Sequence, residues 1–198
     1  NKGETIAFIG ATGCGKSTIV GLASRLYDAS KGEVLVDGVN IKDLTFDTLY
    51  SKVALVPQKA ELFSDTVKDN VTFGKNDATD EDVKNAISIA QAEEFISKLE
   101  NKENHMIAER GNNLSGGQKQ RMCIARALVR NSEIVIFDDS FSALDYKTDK
   151  NLRNDLQTKL KGTTVVIVAQ RIGTILNADK IIVFKNLFLG LSIFSTLL

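Results

Sequence analysis

The chain has few of the residues that mark secreted, metal-binding or loop-rich proteins. Its 198 residues include no tryptophan, one proline, one histidine and two cysteines. Cys14 and Cys123 are far apart and form no CxxC pair, which argues against a disulfide framework and a cysteine metal cluster and suits a reducing compartment. The 25 basic residues balance the 25 acidic ones, so the net charge predicts no nucleic-acid partner.

Long apolar segments are also missing. No basic segment followed by an apolar stretch opens the chain, so no signal peptide is predicted, and the start at Asn1 without methionine indicates a fragment of a longer protein. Residues 187–198 are uncharged and mostly apolar, but a membrane-spanning helix needs about 20 residues. We therefore expect a packed terminal segment or a truncation there rather than a membrane anchor.

Short apolar runs indicate the fold class. They cover residues 6–9, 53–56, 134–137, 163–169 and 181–184. Such runs are typical of parallel strands covered on both faces, and the helical patterns between them predict an α/β domain with a mostly parallel sheet. Residues 33–41 alternate around Asp37-Gly38 and predict a small antiparallel hairpin.

Two further segments predict helices. Thr79 with Asp82 resembles a capping box, and it precedes a helical region that extends to about Leu99. A second helix is expected from about Gly116 to Val129.

Residues 10–17, GATGCGKS, fit the phosphate-binding pattern GxxxxGK[ST] and directly follow the first apolar run. The glycines let backbone N–H groups close around phosphates, Lys16 supplies a positive charge for their oxygens, and the Ser17 hydroxyl is placed to ligate Mg²⁺. A helix opening next would face the phosphates with its positive end. The sequence therefore predicts a site for a nucleoside triphosphate and Mg²⁺. Its residues are Gly10, Ala11, Thr12, Gly13, Cys14, Gly15, Lys16, Ser17 and Thr18.

The apolar run 134–137 ends in Asp138. In P-loop proteins a carboxylate at this place holds the Mg²⁺ of the bound nucleotide. Asp138 is therefore a candidate metal ligand, acting through water.

Residues 114–121, LSGGQKQR, resemble the signature sequence of ABC ATPases and lie some 20 residues before Asp138. Ser115 can cap a helix, and the two glycines let its first N–H groups approach a phosphate closely. With these motifs in register, the chain is identified as a member of this family, which binds ATP with Mg²⁺ in a P-loop NTPase (RecA-like) fold. The resemblance implies a head-to-tail dimer in which Ser115, Gly116, Gly117 and Gln118 contact, in trans, the nucleotide of a second such domain.

Other matches favour an exporter over an importer. Gln58 resembles the Q-loop glutamine, which reaches Mg²⁺ and the attacking water, and Asp145 ends a D-loop, SALD, that crosses the dimer interface. Residues 61–70 and 109–111 resemble segments that face the transmembrane part of exporters. The resemblance implies a transmembrane partner domain and a place on the cytoplasmic face of the cell membrane. A soluble ABC ATPase of translation or DNA repair is the alternative.

The chain departs from the family at two positions of the hydrolytic centre. Asp139 stands where active members carry Glu, and Gln170 where they carry a histidine. Withdrawing a carboxylate by about 1 Å can lower a rate about a hundredfold, and Gln cannot exchange a proton near neutral pH. With Gln58 and Lys16, these are the expected catalytic residues. The two departures predict that this chain is the degenerate half of a heterodimer whose partner carries Glu and His. A homodimer that hydrolyses ATP slowly is the alternative.

The motifs fit a single nucleotide-binding domain over residues 1–198. We expect a RecA-like core at about 1–58 and 130–185, and an inserted α-helical subdomain at about 59–129. Residues 186–198 are an atypical apolar tail.

Overall fold

The computed structural model describes residues 1–184. Its strands are β1 Thr5–Gly10, β2 Leu35–Val36, β3 Val39–Asn40, β4 Val53–Val56, β5 Ile134–Asp138, β6 Thr164–Ala169 and β7 Lys180–Phe184. Five of them form one sheet, in the order β4-β5-β6-β1-β7. β1 pairs in parallel with β6 and β7, and β5 pairs in parallel with β6. The predicted α/β fold with a mostly parallel sheet is confirmed.

The central strands are apolar without alternation because both faces of the sheet are covered. In β5 the consecutive residues Val135, Ile136 and Phe137 are all buried. One core cluster joins this sheet to the first helices and the hairpin. It consists of Val20, Val36, Ile41, Leu49, Val53, Ile136 and Val168. Burying each such side chain contributes about 1.5–3 kcal/mol, so this cluster anchors the sheet.

The predicted hairpin forms from β2 and β3, with Leu35 opposite Asn40 and Val36 opposite Val39. Its two turn residues, Asp37 and Gly38, have φ angles of 52° and 77°. Two consecutive positive φ angles are required by the tight turn that matches strand twist, and Asp-Gly tolerates them.

The helices are α1 Lys16–Ala23, α2 Phe46–Lys52, α3 Val67–Thr72, α4 Asp80–Ile89, α5 Glu93–Ile96, α6 Gly116–Leu128 and α7 Tyr146–Lys159. The capping box of Thr79 and Asp82 starts α4 as predicted. The helical region expected up to Leu99 is divided, because Gln91 takes a left-handed φ of 56° between α4 and α5. Within residues 1–184, no helix combines the length and apolar character needed to cross a membrane.

The chain forms two compact units. Of the described residues, the first unit contains 1–55, 132–139 and 162–184, and the second contains 56–131 and 140–161. The apolar tail noted in the sequence, residues 186–198, lies outside the described residues.

Candidate nucleotide-binding site

The phosphate-binding loop of the first unit connects the end of β1 to the start of α1. Gly10 leaves no room for a side chain, because a Cβ there would lie 2.6 Å from the Phe184 carbonyl oxygen. Gly13 and Gly15 have φ angles of 79° and 95°, a left-handed region that L side chains rarely adopt. These glycines therefore determine the backbone path of the loop. The sequence pattern alone predicts the loop itself.

The loop ends at the N-terminus of α1. Gly15 is the residue before the helix, and no side chain caps the first turn. The first N–H groups of a helix have no partner within the helix, and they carry the positive end of its dipole. The start of α1 therefore fits an anionic ligand such as a phosphate group.

Lys16 is the charged residue of the loop and is only 7% exposed. Its ammonium donates hydrogen bonds to the carbonyl oxygens of Gly10 at 2.7 Å and Ala11 at 2.8 Å, and it lies 3.4 Å from the Cys14 sulfur. A buried ammonium needs such acceptors, because leaving it without partners is costly. Lys16 thus closes the loop and places its charge among the backbone groups that would meet a phosphate.

Ser17 and Asp138 come together although they lie far apart in the chain. The Ser17 hydroxyl donates to a carboxylate oxygen of Asp138 at 3.0 Å. Burial raises the pKa of Asp138, while this hydrogen bond and the Lys16 charge oppose the increase. In residues 1–184, no group of three or more His, Cys, Asp and Glu side chains is placed to hold a metal. A hydroxyl and one carboxylate instead fit Mg²⁺, which keeps several waters and shares phosphate oxygens.

Asp139 and Gln170 form a hydrogen-bonded pair. The Gln170 amide donates from Nε2 to Oδ2 of Asp139 at 2.9 Å. Asp139 has a left-handed φ of 47°, and its N–H donates to the Val168 carbonyl at 3.0 Å. Burial, and then the charge of Asp138, raises the pKa of Asp139, against the Gln170 hydrogen bond and the charge of Lys16. The two residues that depart from the family pattern therefore interact directly.

In the second unit, Ser115 caps α6 as the sequence predicts. Its hydroxyl accepts from the Gln118 N–H at 3.3 Å, and the Gln118 side chain accepts from the Ser115 N–H at 2.8 Å. The two glycines differ. A Cβ on Gly116 would meet nothing within 4 Å, whereas one on Gly117 would lie 3.2 Å from the Ala143 carbonyl oxygen. The contact between Gly117 and the Ala143 carbonyl is not predicted from the sequence, because no local pattern indicates it.

The remaining predicted residues also lie in the second unit. Gln58 is exposed and follows β4. Asp145 caps α7 by accepting from the Thr148 N–H at 3.0 Å and from the Thr148 hydroxyl at 2.7 Å, and these hydrogen bonds lower the pKa of Asp145. The structure thus brings the loop, Ser17, Asp138, Asp139 and Gln170 together in the first unit. Their expected relation to Gln58 and to residues 115–118 stays a prediction.

The profile of the family described as "ABC transporter" matches residues 1–142. The chain belongs to the ABC transporter family. Among known proteins it is 45% identical over 186 residues to multidrug resistance protein pgp-1 of Caenorhabditis elegans. It is 46% identical over 185 residues to a Staphylococcus aureus protein whose name assigns it to multidrug export as an ATP-binding/permease protein.

A solved structure of this family has the same fold. It is a bacterial Atm1-family ABC exporter with ATP bound, which is 37% identical, has a TM-score of 0.89 and is matched over 93% of this chain. The matches cover 94% of this chain for the nematode protein and 93% for the staphylococcal one. The chain spans only 14% of the nematode protein, 32% of the staphylococcal one and 32% of the solved chain.

Proposed function

We propose that this chain is the ATP-binding domain of an ABC exporter, that it binds ATP with Mg²⁺, and that it works as a head-to-tail dimer. The observation that carries the proposal is the arrangement of Lys16, Ser17 and Asp138, in which a buried ammonium and a hydroxyl–carboxylate pair stand at the uncapped start of α1. The names of two relatives, an exporter with ATP bound and an ATP-binding/permease protein, agree with it.

Each residue of the site has a distinct part in binding. The N–H groups of the loop and of α1 receive the phosphate oxygens, and Lys16 exchanges its carbonyl partners for them. Ser17 and, through water, Asp138 hold Mg²⁺, which when bound shields the negative charge on the phosphates. These interactions bind and orient ATP without requiring that it be hydrolysed quickly.

Hydrolysis at this site is slow in our proposal because of the Asp139–Gln170 pair. The Asp139 carboxylate is one methylene shorter than Glu, and its Oδ2 already accepts a hydrogen bond from Gln170. The amide of Gln170 carries no proton that titrates near neutral pH, so it cannot pass one on. The partner is then a non-identical domain with Glu and His at these positions. Residues 115–118 of this chain complete the partner's active site.

A homodimer with modest turnover is the second candidate. It is favoured by one observation: this position still holds a carboxylate, and the Gln170 amide orients it through a hydrogen bond of 2.9 Å. A positioned carboxylate can act as a general base towards water. In this alternative Asp139 accepts the proton of the attacking water in both copies.

The other proposed partner is a transmembrane domain, with this domain on the cytoplasmic side of the membrane. The second unit exposes an aromatic pair, Phe63 and Phe73, whose ring centres are 4.4 Å apart beneath the guanidinium of Arg126. The relatives' greater length leaves room for such a domain. Six apolar spans encoded upstream of Asn1 would support an exporter, whereas their absence would favour a soluble ABC ATPase.

The test is Mg²⁺-dependent phosphate release by the chain and by its Asp139→Glu/Gln170→His variant, with a fluorescent ATP analogue confirming binding. We expect both proteins to bind the analogue and the variant to release phosphate about a hundredfold faster. Asp77→Glu makes the same chemical change on an exposed side chain and should have no effect.

The outcomes separate the candidates. Brisk turnover by the unchanged chain would favour the homodimer. Absence of analogue binding would contradict the proposed function as a whole. A neighbouring gene for a partner domain that also lacks Glu and His would contradict the heterodimer.

A further inference from the structure

A polar cleft of about 560 Å³ lies within the second unit. Side chains from the α4–α5 corner, α6 and α7 line it, among them Gln91, Arg121, Asp145 and Asp155. None of these except Asp145 has a part in the proposed function so far. Their hydrogen bonds connect the two segments of this unit that are expected to face a second domain, namely the start of α6 and the loop before α7.

The first connection passes through Gln91. Its side-chain amide donates to the carboxylate of Asp155 on α7 at 2.7 Å, and its carbonyl accepts from the Arg121 guanidinium at 2.7 Å. Arg121 also donates from Nε to the Gly117 carbonyl in the first turn of α6 at 3.3 Å. The left-handed φ of 56° at Gln91 breaks the helix here. One residue therefore joins α7 to the beginning of α6.

The second connection is direct. The carbonyl of Ala143 lies so close to Gly117 that a Cβ there would be 3.2 Å away, while Gly116 has open space. Ala143 precedes Asp145, the cap of α7, by two residues. A side chain at Gly117 would thus crowd the Ala143 carbonyl inside this unit, and the 140–145 loop lies against the first turn of α6 at that point.

Partial burial strengthens the bridge. The Arg121 guanidinium lies over the Phe95 ring at 4.8 Å, and burial lowers its pKa although the charges of Asp145 and Glu94 oppose this. The Asp155 side chain is 24% exposed. Each hydrogen bond of the bridge has one charged partner, and such bonds are stronger in a partly desolvated place than in water.

We propose that Gln91 is a positioning residue, which with Arg121 and Asp155 fixes the 140–145 loop relative to the first turn of α6. The inference rests on the proposed function, in which both segments contact the second domain and its nucleotide. Gln91 itself touches neither. It keeps two contact segments of the same unit at a constant spacing, so that they meet the second domain together.

The experiment reverses the polarity of one hydrogen bond. All variants are made in a Lys159→Gln background, because the Lys159 ammonium lies 3.0 Å from the same Asp155 oxygen and could pair two carboxylates. In this background Gln91→Glu places two carboxylates opposite each other and breaks the bridge. Adding Asp155→Asn restores a hydrogen bond in the opposite direction, because the amide introduced on α7 donates to the carboxylate introduced at the α4–α5 corner. Asp155→Asn alone is the matched control, because it keeps an acceptor oxygen for Gln91. Amide hydrogen exchange of residues 141–145, where the Leu144 N–H donates to the Phe141 carbonyl at 3.1 Å, is measured without nucleotide.

We expect exchange in this segment to be about fivefold faster in Gln91→Glu and near the original rate in the double variant and the control. Turnover by the dimer, formed with its partner domain where the partner differs, should fall by a similar factor and recover in the double variant. Binding of the ATP analogue at Lys16 should not change. A purely structural role would not give this split between turnover and binding.

Two results would overturn the inference. One is that Gln91→Glu changes neither the amide exchange of residues 141–145 nor the turnover. The other is that exchange becomes faster and turnover slower, and adding Asp155→Asn does not restore them. Failure of the proposed function can be told apart from failure of this inference. The exchange of residues 141–145 is measured without nucleotide, so it can be read even in a chain that binds none.

Discussion

The helices α1 and α6 both begin with glycine-rich sequence, but their N-termini are built differently. At α1 the preceding residue is Gly15, and no side chain caps the first turn. At α6, Ser115 and Gln118 form a reciprocal capping box. The start of α1 thus keeps its N–H groups for a ligand, whereas the start of α6 is already stabilised by its own side chains.

The difference has a physical reason. The loop before α1 folds around a buried ammonium, whose bonds to the Gly10 and Ala11 carbonyls hold it in shape before any ligand arrives. The first turn of α6 is held instead by its cap and by the Arg121 hydrogen bond to the Gly117 carbonyl. In our proposal the first site binds its own nucleotide, while the second presents a preformed helix end to the nucleotide of another domain.

The largest effect is expected at the uncapped helix start. Lys16→Ala removes the only side-chain charge of the loop, and loss of charge-assisted hydrogen bonds to phosphate should weaken binding of a fluorescent ATP analogue about a hundredfold. Lys161→Ala, on an exposed lysine, is the control and should leave the affinity unchanged. Equal affinities of the Lys16 variant and the unchanged chain would remove the basis for a phosphate site at α1.

A smaller effect is expected at the capped helix start. Ser115→Ala and Thr79→Ala each remove an N-cap, so each should lower the free energy of unfolding by about 1 kcal/mol, measured by urea denaturation. Only Ser115→Ala should also reduce turnover at the partner's site, by about tenfold, since the start of α4 at Thr79 has no part in it. Equal turnover in the two variants would show that the start of α6 matters for stability alone.

The smallest effect distinguishes the two capping boxes by pH. Asp82 in the box of α4 carries a charge, and its hydrogen bonds to Thr79, helped by Lys75, lower its pKa. A lowered folded-state pKa adds stability that is present above the unfolded value of about 4 and is lost as the pH falls through the folded value. Asp82→Asn should therefore lower the urea midpoint slightly at pH 7, and the difference from the unchanged chain should become smaller at pH 3. Gln118 is neutral, so Gln118→Glu should introduce a pH dependence at α6. A constant difference between the Asp82 variant and the unchanged chain at both pH values would contradict this account.

Much of the fold follows from local sequence. The buried strands, the Asp37-Gly38 turn and the caps at Thr79 and Ser115 each depend on residues within a few positions of one another. The sequence predicts one helical region from Thr79 to about Leu99, whereas the structure divides it at Gln91. The break is stabilised by Asp155 and Arg121, which lie 64 and 30 positions from Gln91. Local patterns contain no information about such partners.

The same division applies to the candidate site. The phosphate-binding loop and the departures at Asp139 and Gln170 are legible in the residues alone, because residue type and spacing set glycine conformations, charge and proton chemistry. Three contacts depend on the folded chain: Ser17 meets Asp138, Gln170 donates to Asp139 across 31 positions, and Gly117 accommodates the Ala143 carbonyl. These contacts arise where parallel strands end at one edge of the sheet or where separate segments pack together, and such long-range packing is a property of the whole fold.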